Sequence, residues 1–431
     1  MGKVFFDELE NIKIREQYSK EQWKDFQTQQ LRKLLVHAFL NVPFYNEKYS
    51  SKGFKVEDFQ KFQIEDLHQL PYLTKEDFRR FGKTKLLSNI KHKGNFYESS
   101  GSTGTPVSVY MSKNFHQLWS AYYEQRVRQW AGVNHTMRRG MIGGRRVLPQ
   151  GKVDAPYYRY NQAEKQVYFS AYHLSPKTVH NYVEGINKYK LDYLVGYANS
   201  LYFWADFIIK QHITVPPLKA VLTSSETLTD AMRQTIEKAF GCKVYDAYSG
   251  VEACGLISEN PYGELMFSPD TGIMEIINDK GEYVKNAETG ELVLTGLHNY
   301  DQPLIRYKIG DRLTLSQNQQ SKSHMKMPII SHIEGRVEDV VYGSDGRKMV
   351  RFHGLFININ GLEKAQIIQK TLQDFTLKLI VDATYQKTSE EIILKRLQSQ
   401  LGNVKVQFDY VNHILMDENG KYKAVISHVN N

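Results

Sequence analysis

The 431-residue chain predicts an α/β fold in which a large N-terminal domain with mixed sheets precedes a small C-terminal α+β domain. Three observations support this prediction. Short β-branched apolar runs alternate with segments of helical periodicity through the middle of the chain, which favours partly parallel sheets. Residues 265–330 carry closely spaced turns typical of a β-meander. A last strand–helix–strand pattern follows, so we place the domains at 1–334 and 335–431.

The individual elements follow from apolar spacing. From Leu31 to Phe39 the apolar residues fall at i, i+3, i+4, i+7 and i+8, which predicts a helix that ends before Pro43. The other predicted elements are strands at 193–196, 220–222, 243–248, 377–381 and 404–408 and helices opening at 200, at 230–240 and at 389–401.

Composition restricts the class of protein. With 41% hydrophobic and 24% charged residues the chain is an ordinary globular protein, and no apolar run approaches the roughly 20 residues that span a bilayer. Cys242 and Cys254 are too few for a disulfide framework, and together with the lack of a signal-like segment they predict a cytoplasmic location. The net charge of +9 suits anionic partners. Zinc-finger and RNA-recognition spacings are absent, so we expect a solvated basic face and no nucleic-acid binding.

A loop of small residues at 99–105 is the most distinctive segment. Hydroxyl carriers and glycines offer backbone N–H groups and hydroxyls to a polyphosphate, and strand-like flanks predict that the loop joins a hairpin. A flexible linker is the alternative interpretation. The loop is not a P-loop, because no lysine follows its last glycine. Its residues are Ser99, Ser100, Gly101, Ser102, Thr103, Gly104 and Thr105.

Further motifs follow the loop in a defined order. They are 223–228 (Thr-Ser-Ser-Glu-Thr-Leu), 248–252 (Tyr-Ser-Gly-Val-Glu), 290–296 (Gly-Glu-Leu-Val-Leu-Thr-Gly), 306–311 (Arg-Tyr-Lys-Ile-Gly-Asp), 335–339 (Gly-Arg-Val-Glu-Asp) and 419–423 (Asn-Gly-Lys-Tyr-Lys). This series resembles the adenylate-forming ligase superfamily. Together with 42–45 and 70–77 it is most similar to the phenylacetate–coenzyme A ligase branch, which includes proteins encoded with capsular polysaccharide genes.

The resemblance implies ATP-dependent activation of a small carboxylic acid as an acyl-adenylate. Loop 99–105 would hold the β- and γ-phosphates, and Glu252 would bind Mg²⁺, which prefers oxygen ligands. Asp311 would accept hydrogen bonds from the ribose hydroxyls. Without the resemblance, the alternative interpretation is that Glu252 is a surface acid and Asp311 is a turn residue.

The remaining nucleotide contacts also come from the resemblance. Ser225, Glu226 and Tyr248 would line the adenine, although Tyr248 also fits an ordinary core aromatic at a strand end. Ser249 is a further predicted ATP- or AMP-binding residue. Arg336 would contact the nucleotide at the domain joint, and a solvated arginine is the alternative.

The resemblance also implies a mobile C-terminal domain that brings a catalytic lysine to the α-phosphate. Lys421 matches that position and Lys423 competes with it, while an exposed hairpin lysine is the alternative interpretation. The pivot would be Glu338, where the family usually has Asp or Lys.

Two departures bear on the acceptor. The motif at 248–252 lacks the hydroxyl residue next to Glu252, and 342–347 lacks a loop that helps to shape the coenzyme A site in phenylacetate ligases. Coenzyme A is the first predicted acceptor, and an amine or hydroxyl on a surface-polysaccharide precursor is the second. A non-catalytic nucleotide-binding role is the alternative from another class. The acid pocket would involve Tyr197, Ala198 and Asn199, while the sequence leaves the acid itself and the oligomeric state open.

Overall fold

The computed structural model describes residues 2–98, 107–145, 147–148, 154–334, 341–343, 348–349, 353–356, 359–414 and 425–429. Several predicted site residues lie outside these ranges. They are the loop residues 99–105, Arg336, Glu338, Lys421 and Lys423.

Helices occur along the whole described chain. They are α1 (Lys3–Arg15), α2 (Lys20–Asn41), α3 (Pro43–Ser50), α4 (Val56–Lys61), α5 (Lys75–Phe81), α6 (Lys113–Tyr123), α7 (Val179–Tyr189), α8 (Ala198–Lys210), α9 (Asp230–Phe240), α10 (His353–Phe356) and α11 (Ser389–Leu401). A short 3₁₀ helix covers Ile64–Gln69 and a π-helical turn covers Glu124–Gln129. Within the described ranges, every helix is too short or too polar to cross a membrane.

Strands alternate with the helices in the middle of the chain and follow one another after it. They are β1 (Gly94–Glu98), β2 (Ser108–Ser112), β3 (Arg139–Gly143), β4 (Tyr158–Asn161), β5 (Gln166–Ser170), β6 (Tyr193–Tyr197), β7 (Ala220–Ser224), β8 (Val244–Tyr248), β9 (Ile257–Glu259), β10 (Leu265–Phe267), β11 (Gly272–Ile277), β12 (Thr289–Gly296), β13 (Tyr307–Leu315), β14 (Ile329–Glu334), β15 (Val341–Tyr342), β16 (Lys348–Met349), β17 (Leu362–Gln369), β18 (Asp374–Val381), β19 (Lys405–Tyr410) and β20 (Val425–Ser427).

The chain groups into two compact units. The first comprises Met1–Ser99, Val107–His135 and Tyr245–Arg336. Its strands run in the order β11-β12-β13-β14-β10-β9-β8, and each neighbouring pair is antiparallel. The hairpin β1–β2 flanks the small-residue loop, which confirms the hairpin predicted around it.

Helix α2 shows how the sequence sets the local structure of the first unit. Ser19 accepts a hydrogen bond from the Gln22 amide, and the Gln22 side chain accepts one from the Ser19 amide, so two orphan donors are satisfied at its N-terminus. The helix ends at Asn41, shortly before Pro43, as the sequence predicts. Its apolar face, which includes Leu31 and Leu35, is fully buried in the core of this unit.

A buried ion cluster connects helix α1 and the π-helical turn to the segment between β10 and β11. The Asp270 carboxylate accepts hydrogen bonds from Arg15 Nε at 3.0 Å and from Arg126 Nη2 at 3.4 Å. Asp270 and Arg126 are completely buried. Because an unpaired charge there is costly, this cluster stabilises the unit only while every member is present.

The second unit comprises Ser100–Pro106, Thr136–Val244 and Val337–Asn431. In its first part the strand order is β7-β6-β3-β5-β4, parallel except for β4 at the edge, and helices α7, α8 and α9 contribute to the apolar core. In its last part, strands in the order β19-β18-β17-β20 share a core with α11.

The predicted fold class, α/β with mixed sheets, a β-meander and a smaller C-terminal α+β sheet, is confirmed. Element boundaries differ slightly from the predicted ones. Helix α8 begins at Ala198, two residues before the predicted start, and β7 continues to Ser224. The domain boundary at 334/335 stays a prediction.

Candidate active site

Two predicted nucleotide residues of the first unit contact each other. Tyr248 ends β8, Asp311 lies in β13, and the Tyr248 hydroxyl donates a hydrogen bond to Asp311 Oδ2 at 2.7 Å. Burial, together with the negative charge of Asp311, raises the pKa of Tyr248 well above its ordinary value. The phenol therefore stays a neutral donor near pH 7, and it fixes one oxygen of the Asp311 carboxylate.

Glu252 lies in the same unit, just after β8, and its carboxylate is desolvated. The residue is 6% exposed, and burial raises its pKa, with the nearby Asp311 charge adding to the shift and the Lys75 charge opposing it. The Tyr307 hydroxyl donates to Glu252 Oε1 at 3.3 Å. A buried carboxylate whose charged form is disfavoured by desolvation is stabilised by a nearby cation.

Gly250 explains how the motif at 248–252 places this carboxylate. A Cβ atom at Gly250 would lie 2.2 Å from Glu252 Oε2, so a side chain there would displace the carboxylate. The glycine of this motif thus has a steric role.

The short N-terminal motif at 70–77 anchors the strand that carries Tyr307. The Arg306 guanidinium donates to the Leu70 carbonyl at 2.6 Å and to Glu275 at 2.8 Å, and it lies 4.2 Å from the Tyr72 ring centroid. Leu73 pairs with the same strand, since its amide donates to the Arg306 carbonyl at 3.0 Å. Because α5 starts two residues after Leu73, this anchoring also determines the position of Lys75.

Left-handed backbone occurs directly beside both residues of the Glu252–Tyr307 pair. Ala253 has φ of 47° and Arg306 has φ of 50°. Non-glycine residues adopt this region at a cost of order 1–3 kcal/mol each, and such residues concentrate at functional sites.

The second unit carries the other predicted contacts. Ser225 follows β7 with φ of 70°, and Glu226 Oε2 accepts a hydrogen bond from the Asn199 amide at 2.8 Å. Asn199 and Ala198 are not in a loop but form the first turn of α8, where a carboxylate is favoured by the helix dipole. This contact brings two predicted groups together at the carboxyl edge of parallel strands, where α/β sheets bind ligands.

Tyr197 ends β6 at the same edge, beside two residues that sequence reasoning missed. The Tyr172 hydroxyl donates to the Gly144 carbonyl at 2.8 Å. A Cβ atom at Gly144 would lie 3.2 Å from Tyr197 Oη and 3.6 Å from Tyr172 Oη. The paired glycines Gly143 and Gly144, at the end of β3, were the signal that could have found this close approach.

Metal ligands and thiols are limited in the parts of the chain that the structure describes. No group of three His, Cys, Asp or Glu side chains there could hold a metal ion. A cation at Glu252 would therefore take its other ligands from phosphate oxygens and water, an arrangement that suits Mg²⁺. Burial raises the pKa of Cys242 to about 12 and that of Cys254 well above its ordinary value, so neither thiol is an activated nucleophile.

Comparison with known proteins adds independent information. Residues 341–428 match the family model described as the CapK C-terminal domain. The protein CapK of Staphylococcus aureus is 28% identical over 422 residues, covering 94% of this chain and 89% of CapK. The phenylacetate–coenzyme A ligase of Escherichia coli (strain K12) is 25% identical over 341 residues, covering 75% of this chain and 73% of that ligase.

Solved structures agree at the level of the fold. A 2-hydroxyisobutyryl-CoA ligase in the thioesterification state superposes with a TM-score of 0.61 and 18% identity, covering 96% of this chain and 91% of that chain. Its open conformation gives a TM-score of 0.60. The fold is thus that of an acyl-CoA ligase. These comparisons confirm the predicted resemblance to the adenylate-forming ligase superfamily, in the branch of CapK and the phenylacetate–coenzyme A ligases.

Proposed function

We propose that this protein uses ATP to activate a carboxylic acid as an acyl-adenylate and then transfers the acyl group to coenzyme A. In the first step a carboxylate oxygen bonds to the α-phosphorus of ATP, and the bond from that phosphorus to pyrophosphate breaks. The observation that carries the proposal is the cluster of Tyr248, Asp311, Glu252 and Tyr307 in a single unit, in a chain whose relatives include coenzyme A ligases.

The Tyr248–Asp311 pair fits the sugar of a nucleotide. One Asp311 oxygen is held by the phenol, and the carboxylate keeps further lone pairs that can accept from both ribose hydroxyls. We assign the adenine to Tyr248, Ser225 and Glu226, and Ser249 to the nucleotide. The phosphates are assigned to the loop at 99–105, and Arg336 is assigned to the nucleotide at the joint.

Glu252 fits a divalent cation bound together with the phosphates. Its carboxylate is buried and its pKa is raised, so a nearby positive charge would stabilise the ionised form. When bound, Mg²⁺ would offset the negative charge of the phosphates.

Lys421 is our candidate for the cation that meets the α-phosphate, and Lys423 is its competitor. A lysine suits this role as a compact charge on a flexible stem. It would be brought to the site by rotation of the domain 335–431, with Glu338 as the proposed pivot.

The acid is assigned to the carboxyl edge of β6 and β3. Tyr197, Ala198 and Asn199 lie there, and Gly144 leaves room beside the Tyr197 hydroxyl. Two tyrosine hydroxyls at this edge favour an acid with a polar group over a purely aliphatic one.

A second acceptor is favoured by one specific observation. CapK matches almost the whole chain, and the family model of its C-terminal domain matches 341–428. The alternative is therefore transfer to an amine or hydroxyl on a surface-polysaccharide precursor. Because ATP and coenzyme A are intracellular substrates, either version implies a cytoplasmic protein.

The test is ATP–pyrophosphate exchange with aryl, aliphatic, amino and sugar acids in the presence of Mg²⁺. At least one acid should support exchange. Removing a cation that contacts the reacting phosphate should lower the exchange rate on the order of 10²–10³-fold. We therefore expect that loss in Lys421→Ala and a near-normal exchange rate in the matched variant Lys423→Ala.

The outcomes separate the candidate functions. Saturable ATP binding without exchange for any acid would support a non-catalytic nucleotide-binding role. For an acid that supports exchange, single-turnover assays with coenzyme A and with amino sugars show which of them receives the acyl group and so identify the acceptor. Equal loss in both lysine variants would leave the lysine assignment without support.

A further inference from the structure

A cavity lies on the part of the second unit formed by β3, β4 and β5. It has a volume of about 390 Å³, and its lining includes Arg145, Arg159, Tyr160 and Tyr168. Volumes of roughly 300–1,000 Å³ are typical of small-molecule sites, so this cavity suits one compact ligand. None of these residues belongs to the nucleotide, acid or lysine assignments above.

Strand register explains why Arg159 and Tyr168 share one surface. Arg159 pairs with Tyr168 across β4 and β5, and Met141 of β3 pairs with Tyr168 on its other side, so the three side chains lie on one face. The neighbours on the opposite face, such as Phe169, are buried in the core. Arg159 is exposed and Met141 is 36% exposed, which leaves this face accessible.

The cavity carries positive charge without a matching acid. Residues 136–170 contain seven Lys or Arg and two Asp or Glu. The Arg145 guanidinium lies 4.5 Å from the Tyr168 ring centroid, which orients its fork, and within the described ranges neither Arg145 nor Arg159 pairs with a carboxylate. The nearby acid Glu164 is engaged instead by the Tyr168 hydroxyl at 2.6 Å.

Aromatic and amide groups complete the lining. Tyr160 follows Arg159 in β4, so its side chain lies on the opposite face, where its ring stacks on Tyr189 with centroids 4.4 Å apart. Tyr168 therefore supplies the aromatic ring on the Arg159 face. Asn161 and Gln162 add amide groups that can donate to or accept from hydroxyls. The cavity therefore offers guanidinium groups that can bind an anion, the aromatic ring of Tyr168, and amides that can bind several hydroxyl groups.

We propose that this cavity binds a sugar that carries a phosphate or a carboxylate. The guanidinium groups would take the anionic group through paired N–H donors, and the amides would take the ring hydroxyls. A bare anion would leave the amide and tyrosine wall unused, and a neutral sugar would leave the arginines unused.

Isothermal titration of the full-length protein without ATP tests the proposal. The probes are glucose 6-phosphate, glucuronate, glucose and inorganic phosphate. At least one charged sugar should bind about tenfold more tightly than both glucose and phosphate. Arg145→Gln and Arg159→Gln should each weaken that binding by about tenfold, whereas Arg138→Gln, an exposed arginine of the same unit outside the cavity, should not.

Each result decides the proposal. Binding of the phosphate sugar alone or of glucuronate alone supports it and identifies the anionic group. Phosphate binding as tightly as the sugar phosphate would reduce the cavity to a simple anion site, and absence of binding by both charged sugars would overturn the proposal. Equal loss in Arg138→Gln would place the binding elsewhere on the basic surface. Because exchange is measured separately with ATP, failure here leaves the adenylation proposal intact.

Discussion

Tyr248→Phe tests whether the phenol positions Asp311 for the nucleotide. The variant keeps the aromatic ring that we assign to the adenine and removes only the O–H that donates to Asp311 Oδ2 at 2.7 Å. Without that donor, the carboxylate loses one contact that holds it in the orientation that we propose for the ribose hydroxyls.

The size of the effect follows from the kind of hydrogen bond. A bond to a charged partner contributes about 1.5–3 kcal/mol. The residues Tyr248 and Asp311 are both only partly buried, so water can replace the phenol as a donor. We therefore use the lower value of about 1.5 kcal/mol. A loss of about 1.5 kcal/mol corresponds to slightly more than tenfold in kcat/KM for ATP.

The assay is pyrophosphate exchange at varied ATP and saturating acid, in a double-mutant cycle with Asp311→Asn. The two substitutions should couple by about 1 kcal/mol, because each removes the same contact. Tyr158→Phe is the matched control, since its hydroxyl donates to the Glu184 carboxylate at 3.1 Å in the second unit and neither residue belongs to the proposed site. The control should leave exchange unchanged.

Two results would refute the reasoning. Exchange by Tyr248→Phe within twofold of the unmodified protein would show that the hydrogen bond does not position the carboxylate. Additive effects in the double variant would show that Tyr248 and Asp311 act on the nucleotide independently.

Three further predictions concern pH, stability and acid preference. The folded protein raises the pKa of Glu252 above its ordinary 4.5, so ionising this carboxylate lowers the free energy of unfolding as pH rises. Relative to the unmodified protein, Glu252→Gln should therefore be more stable to denaturant at pH 7 and lose that advantage below pH 4.5. A difference that does not change with pH would contradict this. Asp270→Ala should lower the free energy of unfolding by about 3–5 kcal/mol, because it leaves two buried arginines without their carboxylate. The control Asp279→Ala, whose carboxylate is 92% exposed, should lower it by under about 0.5 kcal/mol. Equal losses in the two variants would contradict the buried-cluster argument. Gly144→Ala should raise KM for the acid and not for ATP, because its Cβ would lie 3.2 Å from the Tyr197 hydroxyl; a change confined to ATP would remove this edge from the acid pocket.

Much of the fold could be predicted because apolar periodicity reports burial directly. Helices α9 and α11 have the predicted bounds, and α2 ends at Asn41 as its proline signal indicates. The start of α8 was missed by two residues, because a carboxylate distant in sequence, Glu226, satisfies the Asn199 amide at its N-terminus. Such a partner is invisible to local periodicity.

Residue types could be assigned to the site more readily than their contacts. Sequence order singled out Tyr248, Glu252 and Asp311, and the structure brings these into one cluster. The sequence could not identify Tyr307 as the donor to Glu252 or Gly144 as the residue beside Tyr197, because both contacts depend on the packing of separate strands.

The motif at 248–252 departs from its family in a way that the surrounding structure offsets. The hydroxyl residue that the family places next to the glutamate is Val251 here, yet Glu252 still receives an O–H, from Tyr307 at 3.3 Å. Gly250 leaves the space that the carboxylate occupies, and the left-handed Ala253 turns the chain directly after it. A carboxylate that is desolvated and followed by strained backbone is costly to keep in a fold. That cost is understandable if Glu252 meets a cation during turnover, and it argues against the altered motif being a decayed remnant of an inactive protein.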